Sequence, residues 1–190
     1  MKNSLKLIGL FLLFIIIGCT NKEDRIMNSL ENVDKKLGAI TNQLSVLTHN
    51  DSIMNIQLRH FPTSSPVSIS DMQRITSTYS ERTDPITGEK KMHWGIDYAA
   101  PQGTEVFASA DGIVKEANRK NGYGNRISIN HMNGYETSYS HLNSMIVKPN
   151  QKIKKGDRIG TVGSTGYSTG NHLHYEITFL SKKINPNNFI

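Results

Sequence analysis

Apolar positions change their rhythm three times along the chain. Leu7 to Ile17 form one short unbroken apolar run. From Ile26 the apolar residues recur at steps of four and three: Ile26, Leu30, Val33, Leu37, Ile40, Leu44 and Leu47, then Met54 and Leu58 beyond a polar interruption at Asp51. This is a heptad seam, with Leu30, Leu37, Leu44 and Leu58 at a and Ile26, Val33, Ile40 and Met54 among the d positions. Phe61-Pro62-Thr63-Ser64-Ser65-Pro66 then breaks the period, which predicts a linker over 61–70. Beyond it come short β-branched and apolar runs: 104–108, 112–117, 126–130, 136–140, 159–162 and 172–179. Turns such as Asp111-Gly112, Asn133-Gly134 and Lys155-Gly156 separate them. Many short strands without βαβ alternation predict an all-β, antiparallel, Gly-rich sandwich or barrel-like domain over 71–190, preceded by an α-helical stalk.

Two arrangements satisfy the seam of residues 26–58. One is a coiled coil, which at 1.5 Å per residue reaches roughly 50 Å and allows self-association. The other is an amphipathic helix folded back on the C-terminal domain, where it would cover a site. Leu at a with β-branched residues at d argues against a simple parallel dimer. His49 and His60 read as solvated residues of this region, because neither has a second ligand nearby in sequence.

The N-terminal run has the charged start and short apolar middle of a secretory signal over 1–18, and it is too short for a comfortable bilayer span. An uncleaved anchor is the rival reading. Ile16-Ile17-Gly18-Cys19 resembles the bacterial lipoprotein box, and Cys19 is the chain's one cysteine. Lipidation of Cys19 would tether residues 19–60 to a membrane on the outer side of an envelope, facing the periplasm or the cell surface. One cysteine also excludes a disulfide framework.

With 190 residues, 36% hydrophobic and 20% charged, the chain is neither collagen-like nor wholly disordered nor a multi-span membrane protein. Its 22 Lys+Arg against 16 Asp+Glu give +6, and removing Lys2 and Lys6 with the signal leaves +4. That surplus suits an anionic polymer or membrane. No basic run interleaved with aromatics is present, so nucleic acid is not an expected partner.

Of seven histidines, four fall in three small constellations. In His93-Trp94-Gly95-Ile96-Asp97, residues four apart share a face of a strand or a helix, so both can aim at one ion. In His172-Leu173-His174 a two-residue step on a strand puts both imidazoles on one face. One can bind metal while the other addresses a substrate. Tyr139-Ser140-His141-Leu142 holds a lone histidine at the end of an expected strand. Zinc hydrolysis needs about three protein ligands and one open position. The helical His-Glu-x-x-His pattern is absent, and separate core or surface histidines are the alternative.

These residues, and others in order, resemble the lysostaphin-type, LytM-like zinc endopeptidases of peptidase family M23. The motifs are 82–88 (Arg-Thr-Asp-Pro-Ile-Thr-Gly), 93–104 (from His-Trp-Gly-Ile-Asp to Gly-Thr), 108–114, Gly124-Asn125, 139–142, 155–160, 168–170 and 172–177. The resemblance runs through nearly all of 71–190. It implies a grooved β domain that cleaves stem-peptide cross-links of bacterial peptidoglycan. It also implies one Zn2+ per domain held by His93, Asp97 and His174, with His141 and His172 orienting or deprotonating the attacking water and stabilising the oxyanion. Which of those two is the base stays open. Asn171 and Lys148-Pro149-Asn150 depart from the family pattern without changing a ligand. His131 matches no ligand position and is expected to be structural. Trp94 is packing or groove wall, Tyr139 and Tyr175 are core or substrate contact, and the loop 163–170 is turn chemistry or groove lining. A rival function keeps the fold with a silent site, as a regulator of another wall hydrolase or of division.

Overall fold

The computed structural model describes residues 23–47 and 58–190. The signal segment, Cys19, His49 and the seam positions Met54 and those near it lie outside the described residues. Helix α1 spans Glu23–Leu47. Along it the seam residues Val33 and Ile40 are 52% and 46% exposed. Among the described residues no helix is long and apolar enough to cross a membrane.

From residue 74 onward the chain is built of antiparallel strands. They are β1 (Arg74–Ser77), β2 (Ser80–Thr83), β3 (Lys90–His93), β4 (Ile96–Ala99), β5 (Glu105–Phe107), β6 (Gly112–Lys120), β7 (Gly124–Asn130), β8 (Tyr135–Leu142), β9 (Ser144–Met145), β10 (Lys152–Ile153), β11 (Arg158–Thr161), β12 (His172–Phe179) and β13 (Lys182–Ile184). The large sheet runs β1-β4-β12-β8-β7-β6-β10, with β13 also paired to β12. A three-stranded sheet, β5-β11-β9, and the hairpin β2-β3 complete the domain. The six runs expected from sequence correspond to β5, β6, β7, β8, β11 and β12. The strands β1 to β4, β9, β10 and β13 are only two to four residues long, too short to set a period of their own.

Strand β12 shows how the pattern places chemistry. Leu173, Tyr175, Ile177 and Phe179 alternate onto one face and are buried at 2% exposure or less. His172, His174 and Glu176 consequently point to the other face. Ile96 and Tyr98 of β4 and Ile127 and Ile129 of β7 join the same core, as do Val106 and Ile159 of the smaller sheet.

Inside that core a polar chain is fully sequestered. His131 Nδ1 donates to the Asp111 carbonyl at 2.8 Å, and its Nε2 meets Thr137 Oγ1 at 2.8 Å. Thr137 Oγ1 lies 3.0 Å from the Tyr139 hydroxyl, which meets Ser109 Oγ at 3.0 Å, and Tyr175 donates to Ser109 Oγ at 2.8 Å. Each polar group of this chain of contacts thus has a partner, which removes most of the cost of burying it. His131 is structural, as expected, and both tyrosines are core residues.

The stretch that the sequence reads as a linker is laid against the β domain. Just before it Arg59 pairs with Asp111; within it the Pro66 carbonyl accepts from Phe107 N, and Val67 is 1% exposed. His60 Nδ1 lies 3.2 Å from the Asp111 carbonyl, so His60 is anchored there. Prolines 62 and 66 suit a strap as well as a linker, since both need an extended backbone with few ladder donors.

Candidate metal centre

The centre forms where two sheets meet. Strand β3 ends at His93, and the chain turns through Trp94-Gly95 into β4, which carries Asp97. His93 and Asp97 therefore do not share a face of one strand, as their spacing suggests; they approach from different sheets. His174 lies directly opposite Asp97 in the β4–β12 ladder. Gly95 makes the turn possible: a Cβ there would sit 2.4 Å from the Tyr175 carbonyl oxygen and 2.8 Å from His174 Cε1.

Three donor atoms converge. His93 Nε2 lies 3.1 Å from Asp97 Oδ1 and 3.1 Å from His174 Nδ1, and His174 Nδ1 lies 2.8 Å from Asp97 Oδ1. All three residues are buried. The far side of each imidazole is already committed. His93 Nδ1 donates to the Thr78 carbonyl at 2.8 Å, and His174 Nε2 meets Glu176 Oε1 at 3.1 Å. With those protons placed, His93 Nε2, His174 Nδ1 and Asp97 Oδ1 present lone pairs to one another, an arrangement that repels unless a positive charge sits among them. The separations are close to the roughly 3.3 Å expected between ligands of a tetrahedral ion with bonds of about 2.0–2.1 Å.

Proton affinities report the same demand. Burial opposes charge on His174, yet the carboxylates of Asp97 and Glu176 outweigh it and raise its pKa. Burial alone would raise the Asp97 carboxyl, but hydrogen bonds with His174 and His93 hold it far below the usual carboxylate range. A proton or a metal ion can supply that positive charge. The two nitrogens and one oxygen suit a borderline ion such as zinc.

His141 and His172 stand beside this trio. Their rings are 4.7 Å apart, and the His141 ring is 5.9 Å from that of His174. His141 Nδ1 donates to the Thr165 carbonyl and His172 Nδ1 to the Gly170 carbonyl, each at 2.8 Å, so each presents Nε2. His172 Nε2 lies 3.8 Å from Asp97 Oδ1. Burial pushes the His141 pKa down to about 4 despite its carbonyl partner, so the ring is neutral at pH 7. His141 also holds a left-handed backbone, φ 62°, a strained conformation of the kind kept at functional sites.

All five sequence-selected side chains thus line one cleft of about 730 Å³. Trp94, half-exposed with its ring edge-on to Tyr79, forms part of the wall. Tyr167 to Gly170 line the opening as well, so the Ser/Thr/Gly loop is groove lining. Glu176 and Arg82 also belong to the centre, although from sequence they stand only within motifs 172–177 and 82–88 with no role of their own. Arg82 Nη2 lies 3.4 Å from Asp97 Oδ2, and Glu176 is held by Lys183 Nζ at 2.7 Å. The signal for Glu176 was present, because it continues the alternation His172, His174, Glu176 on one strand face.

Comparison with known proteins places these residues in context. Residues 91–186 match the model of peptidase family M23. The chain is 50% identical over 113 residues to the DD-carboxypeptidase/endopeptidase Mpg of Neisseria meningitidis, covering 60% of this chain and 26% of that protein. It is 43% identical over 118 residues to the peptidoglycan DD-endopeptidase ShyC of Vibrio cholerae, covering 62% and 27%. The chain spans about a quarter of the length of these curated relatives. A crystal structure of a zinc-containing peptidase from Vibrio cholerae superposes with a TM-score of 0.59 at 34% identity, over 67% of this chain and 38% of that one.

Proposed function

The chain belongs to peptidase family M23, and on that premise we propose that its β domain is a zinc endopeptidase hydrolysing D,D peptide cross-links of bacterial peptidoglycan. The observation that carries this is the convergence of His93 Nε2, Asp97 Oδ1 and His174 Nδ1 within 3.1 Å of one another, with His141 and His172 alongside.

His93, Asp97 and His174 would hold one ion. When bound, zinc supplies Lewis-acid activation of water and of the scissile carbonyl. The protein's own residues supply the rest. His141, its Nδ1–H fixed on Thr165, offers a neutral Nε2 that accepts a proton from the attacking water and returns it to the leaving amine. Water oxygen bonds to the carbonyl carbon, the C–N bond breaks, and the proton goes to nitrogen. His172, when protonated, directs Nε2–H toward the developing oxyanion. Thr165 and Gly170 keep both rings aimed by holding their far nitrogens. A catalytically silent regulator is not favoured, because none of the five positions is vacated.

The rest of the proposal rests on sequence. Residues 1–18 act as an export signal, and lipidated Cys19 anchors residues 19–60 as a coiled-coil stalk on the bacterial envelope. Residues 61–70 connect that stalk to the peptidase of 71–190. The heptad seam and the exposure of Val33 and Ile40 support self-association. Changing Cys19 to Ala should shift the protein from the membrane to the soluble fraction, and unchanged fractionation would refute lipid attachment. For the activity, the test is digestion of purified sacculi with and without chelator, read by mass spectrometry. Release of monomeric muropeptides by the metal-loaded chain alone is expected; intact cross-links would reject the peptidase assignment.

A further inference from the structure

The cleft carries more charge than the centre uses. Its carboxylates are engaged: Asp84 Oδ1 accepts from Ile86 N and Thr87 N, Asp97 faces the two imidazoles, and Glu176 is held by His174 and Lys183. Its arginines keep donors to spare. Arg74 lines the cleft, is exposed, and among the described residues forms no ion pair. Arg82 has one long contact, 3.4 Å to Asp97, and its Nε is shielded without a partner, while the side chain keeps 31% exposure.

Register fixes where this positive edge lies. Arg74 is opposite Ala99, which is opposite His172, so these three side chains lie in one row across β1, β4 and β12 on the cleft face. One rung further, Ser77, Asp97 and His174 form the neighbouring row. At a strand spacing of about 4.8 Å, Arg74 starts about 10 Å from His172 along its row. His141 comes from β8, on the opposite side of β12. The cleft is therefore polar across its width, with Arg74 at the β1 side, Arg82 against Asp97, and the candidate base at the β8 side.

Guanidinium groups in a cleft wall recognise carboxylates, and the two D,D bonds of peptidoglycan share one. In both a D-Ala–diaminopimelate cross-link and a D-Ala–D-Ala terminus, the carbon bearing the scissile nitrogen also bears a free carboxylate. Interior bonds of an oligoglycine bridge have none. We infer that Arg82, with Arg74 lining the same cleft, receives this carboxylate and so selects D,D bonds whose leaving residue is anionic. Arg82 is then a specificity residue that touches substrate beside the metal row. This rests on the peptidase reading above and adds the chemistry of the leaving side.

The test uses the zinc-loaded chain and two synthetic cross-linked dimers that differ in one group, the diaminopimelate carboxylate beside the scissile bond or its carboxamide. Loss of a charge-assisted bond should lower kcat/KM for the amide by about 30-fold. Arg82→Gln should shrink the acid-to-amide ratio to about threefold or less, and Arg82→Lys should restore part of it. The ratio is read within one variant, so a change in zinc content from the Asp97 contact acts on both dimers alike. Equal cleavage of both dimers by the unaltered chain overturns the inference and leaves the peptidase standing. Retention of the full preference by Arg82→Gln overturns it equally. Failure to cut either dimer or sacculi removes the peptidase reading, and the inference with it.

Discussion

Glu176 Oε1 lies 3.1 Å from His174 Nε2, two residues along the same strand face, so a buried carboxylate holds the far nitrogen of a candidate metal ligand. Burial would raise the Glu176 carboxyl, but His174 and Lys183 bring it down to about 2, and it stays ionised. An ionised partner fixes the His174 tautomer and strengthens its Nδ1 as a donor. Glu176→Gln should therefore weaken zinc affinity by about 10- to 100-fold. Titration against a competing chelator checks this, and unaltered affinity would show that Glu176 does not support the ligand.

The two histidine pairs should separate on substitution. His174→Ala removes one of three donors and should lose bound zinc and activity together. His141→Ala should keep the metal and lower turnover by about 10²- to 10⁴-fold, the range for a general base. Elemental analysis beside a peptidase assay distinguishes them. Zinc loss in the His141 variant would reassign that residue to the ligand set.

Gly95 tests the turn between the two sheets. A methyl group there meets the Tyr175 carbonyl oxygen at 2.4 Å and the His174 ring at 2.8 Å. Both are constrained, one by the β4–β12 ladder and the other by Asp97 and Glu176. Gly95→Ala should cost about 2 kcal/mol or more of stability through overpacking and should also displace His174. Thermal unfolding with and without zinc measures it; a smaller zinc-induced rise in Tm than the unaltered protein shows is the expected sign.

His131 makes stability depend on pH. Burial lowers its pKa from 6.5 to about 4 in the folded chain. Between those values the unfolded chain binds a proton that the native chain refuses. The stabilising contribution is therefore complete above pH 6.5, declines as pH falls, and is gone near pH 4, a loss of about 3 kcal/mol at most. Denaturant unfolding from pH 7.5 to 4 should show this decline, and His131→Gln, less stable at pH 7, should show a shallower one. Parallel slopes would place the titration elsewhere.

Much of the domain was legible in residue order alone. Alternation in 172–179 places Leu173, Tyr175 and Ile177 inward and His172, His174 and Glu176 outward, because strand geometry admits no other division once one face is buried. The same alternation marks β7 and β8. Short strands such as β1 and β4 lack that contrast, since three or four residues hold too few apolar positions to set a period.

Sequence by itself determined which residue types were available for chemistry and that His172 and His174 share a face, since both follow from local periodicity. Only the tertiary structure decided that His93 and His174, 81 residues apart, meet at 3.1 Å, and that His93 and Asp97 come from different sheets. It alone placed Thr78, Thr165 and Gly170 behind the rings, because every residue has a backbone carbonyl and none advertises its partner. Arg82 beside Asp97 and the strap of 59–67 on the β domain belong to the same class. Such contacts depend on how strands stack and turn, and chain-local patterns carry no record of that.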